Sequence, residues 1–284
     1  MYTQYMFNTQ TVNPAYAGTW ESLGFLTLAR QQWAGFEGAP RTFTFSMQSI
    51  MKNRKVALGL NVISDQLRFE KRLGIFGDYS YLLKLDDNTN LRFGLKGGFT
   101  NYSINFKDYI PYPGSTIDPL FQGEVDTKFT PNFGLGAFLY KTNFYFGLAI
   151  PKMLENKFKN NYNNNSVSAE VRHFFLNAGA VFSLSEDLKF KPTFLTKITI
   201  NAPVEFDFSG NFLLKEKVWL GAMFRTGDSF GFIAQWIFDQ KLRIGYAVDF
   251  TITELRHYNY GSHEIMVSFE LKLTKERFVS PRYY

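Results

Sequence analysis

Apolar and polar residues alternate with a period of two along much of the chain. In residues 242–250, the large apolar positions are Leu242, Ile244, Tyr246, Val248 and Phe250, and the residues between them are small or charged. Successive side chains of a β-strand point to opposite faces, so this pattern predicts a strand with one apolar face. Residues 91–100, 205–212 and 265–272 show the same alternation.

Strands of this kind are predicted along the whole chain. We place fourteen of them at residues 23–32, 41–50, 56–64, 73–85, 91–101, 131–139, 144–150, 167–184, 188–200, 205–214, 218–225, 230–238, 242–251 and 263–273. Several reach the roughly 9 to 11 residues that a tilted membrane-crossing strand needs, whereas soluble sandwiches use strands of about 5 to 6. The number is even, as bacterial outer-membrane barrels require for both termini to lie on one side.

The connections between these strands alternate in length. Those after even-numbered strands are short, such as residues 51–55 and 141–143, and most of those after odd-numbered strands are longer, such as residues 102–130 and 252–262. Outer-membrane barrels have short periplasmic turns and longer outer loops. We therefore predict an all-β, closed, antiparallel transmembrane barrel of about 14 strands with both termini periplasmic, in preference to a soluble β-sandwich.

Composition agrees with a barrel and excludes several other classes of protein. Of 284 residues, 32 are Phe and 16 are Tyr, yet no stretch approaches the 18 consecutive apolar residues of a spanning helix. Cysteine is absent, which excludes disulfides and thiolate metal sites. The net charge is +6, but Lys and Arg are scattered rather than clustered, so we expect no nucleic-acid partner.

The sequence shows no motif that carries catalytic chemistry. The three histidines, His173, His257 and His263, lack metal-ligand spacing, and no nucleophile motif frames a serine. Gly97, Gly98, Gly134 and Gly136 lie inside predicted strands, so they are not phosphate loops, and we expect them to relieve crowding where the wall faces inserted chain. We predict no catalytic, cofactor or metal site and no enzymatic activity.

The chain divides into three predicted regions. Residues 1–22 form a periplasmic or lumenal segment, residues 23–273 the barrel, and residues 274–284 a periplasmic tail. The first residues have neither a basic nor an apolar leader region, so we expect no signal peptide in this chain. Fourteen strands leave a lumen too wide for wall side chains alone to fill. We hypothesise that residues 1–19 fold into its periplasmic end, with these candidate plug residues: Tyr5, Phe7, Asn13, Pro14 and Tyr16.

Two short motifs at the start of the chain resemble a known family. Residues 4–8 read Q-Y-M-F-N and residues 12–18 read V-N-P-A-Y-A-G, and Arg30, Gln32 and Trp33 precede Gly38 and Pro40. This is similar to the N-terminal Q-Y-x-x-N and N-P-A-x-x-G elements and the R-x-Q-W…G-x-P pattern of the PorP/SprF family of Bacteroidota outer-membrane proteins. With the closing strand, the resemblance covers essentially the whole chain.

The resemblance implies a role in type IX secretion and gliding motility. Family members are non-enzymatic outer-membrane barrels, and many support export or surface anchoring of one large adhesin. The resemblance thus implies as partners a large secreted adhesin or its C-terminal domain, periplasmic ring or lipoprotein components of the machinery, and outer-membrane lipid. It implies no cofactor.

The binding surface for such a partner has one candidate in the sequence. The longest predicted connection is rich in aromatic residues, and Tyr102, Phe106, Tyr109 and Phe121 are the candidates for partner contact. For Tyr102 and Phe106, membership of the aromatic girdle at the membrane surface is an equal alternative.

A different functional class stays open on the sequence alone. The chain could instead be a porin or a 14-stranded carrier of hydrophobic solutes. In that reading, the charges predicted to face the lumen would tune selectivity, namely Lys189, Lys191, Lys197, Glu205 and Asp207.

Overall fold

A computed structural model describes residues 1–20, 22–105, 124–126, 129–159, 166–168, 170–239 and 241–271. Within these ranges, fourteen strands make up the wall. They are β1 (Leu23–Gln31), β2 (Arg41–Ile50), β3 (Val56–Leu67), β4 (Glu70–Lys84), β5 (Asn90–Asn105), β6 (Thr130–Tyr140), β7 (Phe144–Ile150), β8 (His173–Ala180), β9 (Leu188–Thr199), β10 (Glu205–Leu214), β11 (Val218–Arg225), β12 (Ser229–Phe238), β13 (Leu242–Thr251) and β14 (Ser262–Leu271).

The wall is a closed antiparallel barrel. Each strand pairs with the next along the chain, and β1 also pairs with β14, from Leu23 opposite Leu271 to Gln31 opposite His263. Closure leaves the sheet without an edge, which a barrel in lipid requires because hydrocarbon cannot hydrogen-bond to free backbone groups. The predicted fold class is confirmed. Among the described residues, no helix has the length and apolar character needed for a helical membrane span.

The alternation in the sequence becomes the two faces of the wall. Along β12, every second side chain is buried, beginning with Ser229, and the side chains between them, such as Phe232 and Trp236, are exposed on the outside. Large apolar side chains are exposed in the same way on every strand from β2 to β14 except β8. An apolar outer surface of this extent is typical of a face that contacts lipid.

The two ends of the barrel differ in their connections. Even-numbered strands are followed by short turns, and we call this the turn end; odd-numbered strands finish at the opposite end, which we call the loop end. The connections predicted to be long at residues 151–166 and 252–262 follow β7 and β13 and therefore lie at the loop end. β1 begins and β14 finishes at the turn end, so the chain enters the first strand and leaves the last strand at the same end of the barrel. That this side is the periplasmic one stays a prediction.

Most predicted strands match the observed ones within a few residues, and two regions differ. β3 and β4 extend farther than predicted and meet in a tight turn at Arg68, whose φ is +49°. The segment predicted as one strand over residues 167–184 is divided. Ser166–Ser168 pairs with Lys157–Lys159 in a separate two-stranded ladder, and the wall strand begins only at His173 and continues as Phe182–Ser183. An alternation of period two does not show which strand a segment pairs with. The prediction therefore merged the short ladder strand and the wall strand into one.

Candidate functional site

The lumen contains the beginning of the chain. Within residues 1–20, which we call the N-terminal segment, all side chains except those of Met1, Tyr2 and Val12 are buried. The segment forms two short 3₁₀ turns, Thr9–Thr11 and Pro14–Tyr16, and packs against inward-facing residues of the wall. It therefore fills space that the wall side chains do not.

Local sequence explains the turn in the middle of the segment. Asn13 Oδ1 accepts a hydrogen bond from the backbone N–H of Ala15 at 3.0 Å, and Pro14 occupies the first position of the 3₁₀ turn, where its fixed φ is favourable. Asn13 Nδ2 donates outward to the carbonyl of Ala137 on β6 at 3.1 Å. One side chain thus caps the turn and attaches it to the wall.

A cluster of charges holds the segment at the loop end. The backbone N–H groups of Thr3 and Gln4 donate to the two carboxylate oxygens of Glu264 at 2.7 and 3.0 Å. Arg30 Nη1 donates to Glu264 at 2.5 Å and to Asp249 at 2.8 Å. Because all these groups are buried, each charge is balanced by its partners inside the lumen rather than by water.

Further contacts hold the segment at the turn end. Gly18 donates its backbone N–H to Gln48 Oε1 at 2.7 Å, and Ser80 Oγ donates to the carbonyl of Ala17 at 2.5 Å. Ser22, which follows the segment, donates to Glu270 at 2.7 Å. The N-terminal segment thus extends through the lumen from one end to the other, whereas the hypothesis from the sequence placed it at the periplasmic end of the lumen.

Aromatic packing fills the middle of the lumen. Phe7 meets Trp219 edge-on with 5.9 Å between ring centroids, and Tyr16 meets Phe138 edge-on at 5.3 Å. The ammonium group of the buried Lys191 lies 5.6 Å from the Phe7 ring and 5.7 Å from the Trp219 ring. A cation buried among ring faces is stabilised by their negative electrostatic potential.

Glycines of the wall allow the segment to approach closely. A Cβ at Gly94 would lie 2.1 Å from the backbone nitrogen of Ala15, and one at Gly136 would lie 2.2 Å from Asn13 Oδ1. The expectation that strand glycines relieve crowding beside inserted chain therefore holds at Gly136. It is wrong for Gly97, where a Cβ would meet no atom within 4 Å.

Beside the segment, the loop end contains a cavity of about 260 Å³. It lies between Val12 of the segment and strands β3, β4, β5 and β8, with Lys152 and Glu170 from the connection before β8. Burial by itself raises the pKa of the Glu170 carboxyl, but the Lys152 ammonium and hydrogen bonds from Asn132 and Thr100 outweigh burial and hold this pKa below its ordinary value. Glu170 is thus held as a carboxylate.

The comparison with known families decides the identity at family level. A family model described as type IX secretion system membrane protein PorP/SprF matches residues 1–269. The chain belongs to this family. The match includes the N-terminal segment and every wall strand up to β14, so the predicted resemblance is confirmed. Comparison with curated protein sequences gives no match.

Solved structures similar to this PorP/SprF-family chain are outer-membrane barrels. Outer membrane protein Omp33 of Acinetobacter baumannii has a TM-score of 0.51 at 9% identity, with 88% of this chain and 98% of that chain covered. A Pseudomonas aeruginosa FadL homologue has a TM-score of 0.51 at 12% identity, with 91% of each chain covered. At these identities the likeness shows the fold alone.

The PorP/SprF signature residues lie in or beside the lumen. Gln4, Tyr5 and Asn8 of the first motif are buried in the segment, as are Asn13, Pro14 and Ala15 of the second. Arg30, from the third motif, belongs to the charge cluster at the loop end. The residues that identify the family are therefore largely those that build the filled lumen.

The structure places the other predicted site residues as follows. Tyr5, Phe7, Asn13, Pro14 and Tyr16 lie together in the lumen. Tyr102 is buried near the loop end of β5, with the Arg72 guanidinium 5.1 Å from its ring. Phe106, Tyr109 and Phe121 lie outside the described residues. Of the charges assigned to the lumen, Lys191 and Asp207 are buried there, and Lys197 pairs with Glu205 at 3.2 Å nearer the surface.

Sequence reasoning did not identify the charges that hold the segment. Arg30, Asp78, Asp249 and Glu264 each occupy a polar position of an alternating strand, and this was the available signal. Nothing in that pattern indicates which of them meet. No group of three or more His, Asp or Glu side chains suited to a metal ion occurs in the part of the chain that the structure describes.

Proposed function

We propose that this chain is a non-enzymatic, plugged outer-membrane barrel of the type IX secretion and gliding machinery, which supports export or surface anchoring of a large cell-surface adhesin. Membership of the PorP/SprF family supports the system. The observation that carries the proposal is the N-terminal segment, which is attached to the wall at both ends of the lumen.

A filled lumen favours a binding role over transport. A porin or a solute carrier needs a path lined by its selectivity-determining side chains. Here Arg30 and Asp249 bind the segment instead, and Lys191 is enclosed by aromatic rings. These inward charges thus stabilise an inserted segment, which leaves the ends of the barrel for protein contact.

The loop end offers an exposed aromatic surface for that contact. The connection between β1 and β2 and the one between β13 and β14 are hydrogen-bonded to each other, from Ala34 N–H to the Gly261 carbonyl at 2.8 Å and from Tyr260 N–H to the Ala34 carbonyl at 2.9 Å. Tyr258 and Tyr260 are 69% and 81% exposed. Exposed aromatic residues on a rigid support are frequent anchors of protein–protein interfaces. We assign this surface, Phe36, Tyr258 and Tyr260, to the partner.

The test is recovery of the partner from native outer membranes. The tagged chain is extracted in mild detergent, and co-purified proteins are identified by mass spectrometry. We expect a large secreted surface protein, with or without periplasmic ring or lipoprotein components of the type IX machinery. The Tyr258→Ser/Tyr260→Ser variant should lose this protein, whereas Glu254→Ser in the same connection should retain it.

Conductance in planar bilayers gives the opposing outcome. The proposal predicts that the purified chain is nearly silent because its lumen is occupied. A chain that co-purifies with no large surface protein and conducts ions at the level of an open porin would overturn the proposal in favour of transport.

A further inference from the structure

Two lysines that line the loop-end cavity lie close to the same aromatic ring. Lys96 Nζ lies 5.8 Å and Lys152 Nζ 5.2 Å from the centroid of the Phe76 ring, and all three residues line the cavity. Lys96 is only 5% exposed. Burial of an ammonium group costs free energy unless its three N–H groups find hydrogen-bond acceptors. A comparison of these N–H groups with the acceptors present therefore shows how many a ligand could use.

Lys96 uses part of its capacity. Its ammonium can donate three hydrogen bonds, and among the described residues its polar partner is one oxygen of Asp78, at 2.7 Å. The other oxygen of Asp78 accepts from Gln10 at 3.0 Å and from Asn61. The carboxylate is therefore shared among several donors, and Lys96 keeps N–H groups for a further acceptor.

Lys152 is in a similar position. It donates to Glu170 Oε1 at 2.5 Å and to Thr100 Oγ1 at 3.3 Å, which leaves one N–H with no partner among the described residues. Glu170 also accepts from Thr100 at 2.8 Å, Asn132 at 2.8 Å and Asn156 at 2.9 Å. This carboxylate is saturated with donors, so the unused capacity at the cavity belongs to the cations.

The charge and shape of the cavity indicate what would use that capacity. Its lining contains the cationic side chains of Arg72, Lys96 and Lys152. Each of them has a carboxylate partner, namely Glu70 at 3.4 Å, Asp78 at 2.7 Å and Glu170 at 2.5 Å. The feature that selects a ligand is therefore the remaining N–H groups of Lys96 and Lys152, which the two oxygens of one carboxylate could accept. Apolar surface is supplied by Val12, Ile63, Phe76 and Phe175. A volume of about 260 Å³ is smaller than the roughly 300–1,000 Å³ of drug-sized pockets, so the ligand is small.

We infer that this cavity binds a small organic monocarboxylate with an apolar or aromatic group. The carboxylate accepts hydrogen bonds from Lys96 and Lys152, and the apolar group packs against Phe76 and Phe175. Charge-assisted hydrogen bonds of this type supply both affinity and orientation in a partly enclosed site. The same chemistry occurs at the C-terminus of a peptide and in a free carboxylic acid. Neither source depends on the proposed adhesin, so this inference is separate from the proposed function.

The test measures binding of three probes to the full chain in lipid nanodiscs by isothermal titration. N-acetyl-L-phenylalanine represents a peptide C-terminus, and 3-phenylpropanoate represents a free acid with the same ring and carboxylate. N-acetyl-L-phenylalaninamide keeps the ring and removes the charge. We expect one or both acids to bind and the amide not to bind. Binding of the peptide mimic alone identifies a chain terminus as the source, and equal binding of both acids identifies a free acid.

A matched pair of variants locates the site. Lys152→Met removes one ammonium group but leaves Glu170 with its donors Thr100, Asn132 and Asn156, so the fold should persist. We expect the dissociation constant of the acid to rise about tenfold, because the variant loses one charge-assisted hydrogen bond to the ligand. Lys55→Met, at an exposed position of the turn end, should leave it unchanged. Lys96→Met, which keeps Gln10 and Asn61 on Asp78, should weaken binding as Lys152→Met does.

Three results would overturn the inference. One is the absence of binding by either acid at about 10 mM, a concentration above the dissociation constant of even a weak specific site. Another is binding of the amide as tight as that of its acid. The third is unchanged affinity in a folded Lys152→Met protein.

Discussion

The backbone N–H of Thr3 donates a hydrogen bond to the carboxylate of Glu264 at 2.7 Å, across 261 positions of the chain. The contact joins the first residues of the N-terminal segment to the last strand of the barrel. Arg30 of β1 binds the same carboxylate at 2.5 Å, so the seam where β1 meets β14 and the end of the segment share one charge cluster.

Glu264→Ala should release the first residues of the segment. The variant leaves the N–H groups of Thr3 and Gln4 without their acceptor and Arg30 with Asp249 as its remaining carboxylate. Loss of hydrogen bonds to a charged group costs about 1.5–3 kcal/mol, so hydrogen exchange of peptides from residues 1–10 should accelerate roughly 10- to 100-fold. Mass spectrometry measures this rate. Glu254→Ala, exposed at the same end, is the control, and equal exchange in both variants would contradict the assigned contact.

Gly94→Ala should disturb the packing of the segment, and Gly97→Ala should not. The new Cβ at position 94 would lie 2.1 Å from the backbone of Ala15, whereas a Cβ at position 97 meets nothing within 4 Å. Overpacking of this type costs about 1–3 kcal/mol. Because alanine restricts the unfolded chain, Gly97→Ala should instead stabilise by about 0.4–1 kcal/mol. Urea unfolding in lipid vesicles compares the two, and a Gly94→Ala protein as stable as the wild type would refute the close approach.

Arg225→Lys should destabilise the barrel wall despite the unchanged charge. Arg225 binds both oxygens of the buried Asp207, through Nε at 2.8 Å and Nη2 at 2.9 Å, and also binds Asp228 at 3.1 Å. A lysine ammonium cannot reproduce the planar, two-pronged contact. We expect the free energy of unfolding to fall by about 1–3 kcal/mol. Arg256→Lys in the exposed connection at the loop end should change it by less than about 0.5 kcal/mol. A loss of the same size in both variants would argue against the two-pronged contact.

Stability at the loop end should decrease in acid because of Glu170. The Lys152 ammonium and hydrogen bonds hold the pKa of this carboxyl below its ordinary value of 4.5. A group whose pKa is lowered by folding contributes stability above its unfolded pKa and loses it as the pH falls through the folded pKa. The contribution should thus be complete above about pH 5 and decline below about pH 4.5. The difference in unfolding free energy between wild type and Glu170→Gln, measured from pH 7 to pH 3, should narrow in that range; a constant difference would exclude the linkage.

The sequence by itself determined the wall of this protein. Alternation such as that of residues 242–250 is a local property, because side chains on a strand point to opposite faces whatever lies beside it. Strands and their bounds could therefore be predicted well, and Arg41–Ile50, Phe144–Ile150 and Glu205–Leu214 begin and end where expected. The motifs at residues 4–8 and 12–18 were also sufficient to predict the family. The division of residues 166–183 escaped prediction, because pairing depends on partners distant in the sequence.

Only the tertiary structure decided how the lumen is filled. Arg30, Asp249 and Glu264 are ordinary polar positions in three strands, and they meet Thr3 only because the barrel closes and its register sets their heights. The path of the N-terminal segment from Thr3 at the loop end to Gly18 at the turn end has no periodic signal, because its backbone hydrogen bonds form separate short turns rather than a continuous helix or strand. The cavity beside it arises from what the segment leaves unfilled. The charge cluster, the path of the segment and the cavity all depend on contacts between residues far apart in the sequence. A local sequence pattern does not encode such contacts.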